Sequence, residues 1–202
     1  MIKPYPSAFA KSGALRSSAR MPTLIEAGRQ RGISLIEGIL YLVLAISVVV
    51  GGIVVFQNAQ LSNRVTDTAR GIVTIASETR ALHQNARDFG TADLTPALVN
   101  AGAVPSNFLN NDGTDVRHPW GGAVTITGAD QQFTIALADV PSDACVRLAS
   151  VDARGQGVAG IGIASVSFDG GGTTQAIPVT PIVAGVECGN QATADIVFTY
   201  DR

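Results

Sequence analysis

Glu37 is the residue whose chemistry fits its neighbours least. It heads the run Gly38–Phe56, 19 residues without a charge and rich in Val, Ile and Leu, and it is preceded by Leu35 and Ile36. A carboxylate costs roughly 2.5–3.5 kcal/mol at a membrane centre on insertion scales, and less near an interface. A group placed there calls for a function and a partner. Cys145 and Cys188 are the other reactive pair, and they are the only cysteines in the chain. By number alone they are either buried thiols or one disulfide. The two histidines, His83 and His118, have neither a local metal partner nor a nucleophile motif beside them. The stretch Gly155-Gln156-Gly157-Val158-Ala159-Gly160 matches G-x-G-x-x-G letter by letter. A dinucleotide site needs a strand before that motif and a helix after it, whereas the pattern here predicts the reverse. Asn110–Asp115 is acidic and turn-rich but lacks the ligand spacing of a calcium loop. These residues predict no enzyme, no cofactor and no metal site.

The elements that must position Glu37 and the cysteines follow from charge and hydropathy. Residues 1–32 carry Lys3, Lys11, Arg16, Arg20, Arg29 and Arg31 against Glu26, a net of +5, and the remainder carries eight Arg and fifteen acids, a net of −7. A chain that is basic, then apolar, then acidic reads as a membrane-targeted protein with an exported domain. The acidic remainder argues against nucleic-acid binding, which needs cations to displace phosphate counterions. An apolar helix of the length of Gly38–Phe56 spans about 28 Å, close to a hydrocarbon core. A signal anchor and a cleaved secretory signal both fit that run. The second fits less well, because the run exceeds the usual h-region and Gln57-Asn58-Ala59 is a poor cleavage site. Export also favours pairing of Cys145 with Cys188, since thiols in an oxidising compartment tend to form disulfides.

The helix is expected to continue past the apolar run. Leu61, Val65, Ala69, Ile72, Ala76, Thr79, Leu82, Ala86 and Phe89 recur at three- and four-residue spacing, no Pro interrupts Ile33–Phe89, and Gly90 supplies a stop. Gly51-Gly52 and Gly71 are weak points, about 1 kcal/mol each against Ala, which serve either close packing against another helix or local unwinding. Beyond Gly90, a short capped helix is predicted from Thr95-Pro96, a turn at Asn110–Asp115, and a hairpin of Ala123–Thr127 with Phe133–Leu137 around Gly128–Asp130. A second short helix is predicted from Ser142, as its cap, to about Val151. Ile163–Phe168, Ile182–Val186 and Ala194–Tyr200 read as further strands. Gly170–Gly172 reads as a loop and Trp120 as a packing anchor. The fold class is α+β: a long N-terminal helix whose amphipathic half packs on an antiparallel sheet.

Several of these residues carry a resemblance. A basic leader ending in Gly32, then Ile33-Ser34-Leu35-Ile36 and Glu37 as the fifth residue after the glycine, then a long apolar helix, resembles the class III signal of type IV pilin precursors. The 32-residue leader and a first mature residue other than Phe resemble the type IVb branch. His118-Pro119-Trp120-Gly121-Gly122 and Val140-Pro141-Ser142-Asp143-Ala144-Cys145 resemble thin-pilus pilins of the PilS kind. The resemblance implies cleavage between Gly32 and Ile33 by a prepilin peptidase, and a disulfide-bounded region near the C-terminus. It implies four parts: a leader at 1–32, a transmembrane and polymerisation half-helix at 33–58, an amphipathic half-helix at 59–89 and a sheet domain at 90–202. It also implies self-assembly into a helical homopolymer, with an assembly ATPase, a platform protein and a secretin as partners. The precursor would sit in the inner membrane, leader in the cytoplasm and C-terminal domain in the periplasm. The product would be a surface pilus for adhesion, aggregation or mating contact.

Cleavage would free an α-amine on Ile33, one helical turn from the Glu37 carboxylate. The two charges could pair within one subunit, or Glu37 could pair with the amine of a neighbour in a filament. Paired burial is tolerable where single burial is not. Two rival readings remain open on sequence grounds: a minor pilin or type II secretion pseudopilin, and a bitopic membrane-anchored binding domain that never polymerises. A plain anchor has no use for Glu37.

Overall fold

The computed structural model describes residues 34–189 and 191–202. The chain divides into two compact units, Met1–Ile46 and Ser47–Arg202. In the first, the described residues form the opening turns of helix α1, which runs Leu35–Leu82, and all of them are exposed. Gly38 N–H donates to the Ser34 carbonyl at 2.9 Å, closing the first turn.

The second unit holds the rest of α1 and a five-stranded antiparallel sheet. The strands are β1 (Val124–Ala129), β2 (Gln132–Pro141), β5 (Ile163–Phe168), β6 (Thr173–Ala176) and β7 (Thr193–Asp201). Their order is β1-β2-β7-β5-β6, so the last strand of the chain lies at the centre. A separate two-stranded hairpin comprises β3 (Gln156–Gly157) and β4 (Gly160–Ile161). Alternation decides which face is buried. Val124 and Ile126, Phe133, Ile135 and Leu137, and Ile196, Phe198 and Tyr200 are all within 2 % of full burial. The same core takes Val65, Ala69, Ile72, Ile75 and Ala76 from α1. Thr68 and Thr79 are buried on that stripe, and each hydroxyl donates to the carbonyl four residues back, so neither leaves a polar atom unpaired.

Helix α1 stops at Leu82 and not at Phe89. The predicted stripe therefore fails at Leu82 and Ala86, which are exposed, while Phe89 is buried by another route. Phe89 N–H donates to the Asp130 carbonyl at 2.8 Å, and its ring lies 5.0 Å from Phe133 and 5.2 Å from His83. Carrying Phe89 to the β1–β2 turn requires the chain to leave the helix. The freed carbonyls are taken up: Arg202 donates to Ala86 O at 2.7 Å and also to Arg87 O. His83 accordingly follows the helix.

Helix α2 spans Thr95–Asn100, α3 spans Ser142–Ala149 and α4 spans Pro181–Cys188. The last corrects the expected strand at Ile182–Val186. Pro181 occupies the first turn, where a missing N–H costs nothing, and the Thr180 hydroxyl accepts from Val183 N–H at 3.4 Å. Ala184 and Cys188, four residues apart, are buried, and Ile182 and Val186 face outward. Five apolar residues did not distinguish the two periods. Ser142 is not a cap either; it begins α3 after Pro141, and its hydroxyl donates to the Gln191 carbonyl. The β1–β2 turn lies at Asp130–Gln131, with Asp130 at φ 56°. The Gly-rich stretch Gly155–Gly160 forms the β3–β4 hairpin, and β6 is a strand the residue pattern did not reveal. Gly71 meets close packing: a Cβ there would overlap the Phe108 ring, which ends the one-turn helix Ser106–Phe108. A Cβ at Gly51 or Gly52 would meet nothing within 4 Å among the described residues.

Candidate assembly site

Glu37 lies in the first turn of α1, where a carboxylate also complements the helix dipole. Tyr41 Oη donates to Glu37 Oε1 at 3.5 Å, a pair four residues apart on one helix face. Leu35 and Ile36 beside it are 83 % and 78 % exposed. Gly32 and Ile33, the expected processing pair, lie outside the described residues. Tyr41 was not singled out from the sequence. The four-residue spacing that pairs Ile33 with Glu37 would also have reached it.

The expected disulfide pair meets at the junction of two helices. Cys145 in α3 and Cys188 at the end of α4 are bonded, with Cα atoms 5.9 Å apart, and both are fully buried. The crosslink joins residues separated by 43 positions in sequence, for which the loop-entropy model gives about 4 kcal/mol. It fixes α3 and α4 beside the entry to β7, the central strand. No group of three or more metal-ligating side chains occurs among the described residues.

A second constellation involves residues that sequence reasoning treated separately. Arg80 leaves α1 and donates to the Asp201 carbonyl at 3.0 Å and the Ile161 carbonyl at 3.2 Å. Its guanidinium stands 5.4 Å from the ring centres of both Phe133 and Tyr200, which stack at 5.1 Å. Tyr200 Oη donates to the Ala159 carbonyl at 2.7 Å, and burial raises its pKa. One arginine therefore ties the helix to β7 and to the β3–β4 hairpin.

His118 performs a comparable task for the loop before β1. Its Nε2 lies 2.6 Å from the Ala138 carbonyl, and its Nδ1 accepts from Trp120 N–H at 3.3 Å. These partners define a neutral ring protonated at Nε2. Burial lowers the pKa, against the opposing effects of the Ala138 bond and Asp139. Gly122 has no room for a Cβ, because the Ala138 carbonyl and the His118 ring occupy the space. Trp120 is half-buried against the core and edge-on to His118 at 5.6 Å.

Comparison with known proteins places these features together. Residues 62–201 match the family model described as PilS N terminal. The major structural subunit of the bundle-forming pilus of Escherichia coli O127:H6 is 27 % identical over 172 residues, covering 80 % of this chain and 89 % of that protein. Its counterpart from Escherichia coli O111:H- is 26 % identical over the same shares. The crystal structure of TcpA, a type IV pilin from Vibrio cholerae El Tor biotype, matches with a TM-score of 0.50 and 14 % identity, covering 69 % of this chain and 99 % of that one. The long helix, the antiparallel sheet and the family match together show that the chain belongs to the PilS N-terminal family and is a type IVb pilin.

Proposed function

We infer that this pilin is a major subunit: its precursor is cut between Gly32 and Ile33, and the product polymerises through α1 into a surface filament. The observation that carries this reading is the contrast within α1. From Gly38 to Phe56 every residue is uncharged and exposed, whereas Val65–Thr79 supplies a buried stripe to the sheet domain. An exposed apolar surface of that extent needs cover. A bilayer covers it before assembly, and neighbouring copies of the same helix cover it in a filament. Its length and hydropathy suit a membrane span. That both curated relatives are major structural subunits supports the major over the minor role.

Glu37 gives the packing its register. Its carboxylate would pair with the Ile33 amine of a neighbouring subunit, neutralising two charges that an apolar interior cannot hold singly. Tyr41 holds the carboxylate on the same helix face until that amine arrives. The peptidase, the assembly ATPase, the platform protein and the secretin are the machinery this reading requires. The leader then lies in the cytoplasm and the sheet domain in the periplasm. The functional parts are 1–32, 33–58, 59–89 and 90–202, the third ending in the non-helical turn His83–Phe89. N-terminal mass spectrometry of sheared surface filaments tests the reading. A mature chain starting at Ile33 is expected; intact precursor, or a start near Gln60, contradicts it.

A further inference from the structure

Trp120, the chain's single tryptophan, lies where the apolar run ends. It shares a shallow depression of about 290 Å³ with Phe56, Gln57, Gln60, Leu61 and Arg64 of α1. The turn that carries it is stiff. Gly121 N–H donates to the His118 carbonyl at 2.8 Å, and the Arg117 guanidinium donates to the Gly121 carbonyl at 3.0 Å. Gly121 takes φ 93°, which a residue with a Cβ rarely adopts. The ring is therefore held at one level of the helix. The Arg64 guanidinium has no ion-pair or hydrogen-bond partner among the described residues, and Asp67 one turn further on is likewise without an ion pair.

We propose that Phe56, Trp120 and Arg64 form a docking corner for the phospholipid headgroup layer, seating the sheet domain on the outer face of the membrane before assembly. The inference rests on the membrane-resident precursor described above. Continuity with the apolar run favours lipid as the occupant. If Phe56 marks the edge of the hydrocarbon, Gln57 and Gln60 lie about 1.5 and 6 Å beyond it and Arg64 about 12 Å beyond, from the helical rise. The headgroup layer is about 5–8 Å deep on each side. Trp120 then lies at the depth where amphipathic rings concentrate, and Arg64 reaches back toward phosphate along its apolar stem. The domain as a whole is acidic and would otherwise be repelled by anionic lipid, so an unpaired cation at the contact level has a specific use.

The single tryptophan makes the test direct. The full chain is inserted into vesicles of phosphatidylcholine and phosphatidylglycerol, with bromine on the acyl chains either near the headgroup or near the chain end. Trp120 emission is expected to be lost more with bromine near the headgroup, and to be shielded from acrylamide in water. Arg64→Gln is expected to reduce the bromine quenching while the chain still floats with the vesicles and Cys145 and Cys188 stay unreactive to alkylation. A floating chain whose emission ignores both bromine positions overturns the docking corner and leaves the membrane reading intact. A chain that does not float overturns both. Trp120 shielded in filaments but open to acrylamide in vesicles assigns the corner to subunit contact and overturns the lipid assignment.

Discussion

Helix α1 carries two surfaces made from nearly the same residue types. Ile46, Val49 and Ile53 in its first part are more than half exposed, while Ile72, Ile75 and Val65 in its second part are buried. Val, Ile and Leu do not distinguish them. The interleaved residues do: Arg64, Asp67, Arg70 and Glu78 line the outer side of the second part, and no charge appears from Gly38 to Asn63. A charged outer face tells the helix which side to bury against its own sheet. Without one, every side is equal, and the segment can be surrounded by lipid or by copies of itself. The glycines repeat the lesson. Gly71 lets Phe108 approach, and a Cβ added at Gly51 or Gly52 would meet nothing within 4 Å among the described residues.

The contrast can be broken by matched substitutions. Ile72→Ala should destabilise the sheet domain by about 2–5 kcal/mol through lost burial and a cavity. Ile53→Ala should leave it unchanged, with chemical denaturation of the full chain in micelles as the measurement. Equal effects would mean that the two parts are not separate surfaces. Gly71→Ala should cost about 1–3 kcal/mol by overpacking against Phe108. Gly51→Ala should leave the sheet domain's unfolding midpoint where it is and remove a helical weak point worth about 1 kcal/mol.

Acid sharpens the contrast by the smallest amount. His118 has a folded pKa below its ordinary 6.5, so the folded state resists the proton that the unfolded chain accepts. Its contribution to stability is complete above 6.5 and is lost as the pH falls through the folded pKa. The denaturation midpoint of the sheet domain should therefore decline below about 6.5. Retention of the chain in vesicles should not change over that range, because Gly38–Phe56 carries neither an acid nor a histidine. A flat midpoint would mean that burial does not hold the ring neutral and that Nδ1 takes a proton in the folded state at no cost.

Much of this was legible in the residues because the signals are local. The charge-free run, the alternating β1–β2 hairpin, β5 and β7 each follow from spacing within a few residues. The misreadings arose where distant partners decide. Pro181–Cys188 is helical because Cys188 must meet Cys145 in α3, and a short apolar run has no period of its own. Helix α1 ends early because Phe89 is drawn to Phe133 and Arg202 satisfies the carbonyls left behind, partners more than forty residues away in sequence. Thr173–Ala176 escaped notice because three of its four residues are polar and its pairing with β5 defines it. At the candidate site, Glu37 stood out as a lone charge, whereas Tyr41 lies inside the apolar run and was not singled out.

The most direct test is piliation of the Glu37→Ala variant, read by electron microscopy and by the amount of pilin in the sheared surface fraction. Glu37 lies outside the sheet domain and beyond the expected scissile bond, so folding and cleavage should be unaffected. Loss of its carboxylate would strand the neighbour's Ile33 amine in an apolar interior, a penalty of about 3–5 kcal/mol for a broken buried pair, repeated at every subunit. The account predicts processed, disulfide-bonded pilin retained in the membrane and no filaments outside. Filaments in normal number from Glu37→Ala would contradict it and leave α1 as a plain membrane anchor.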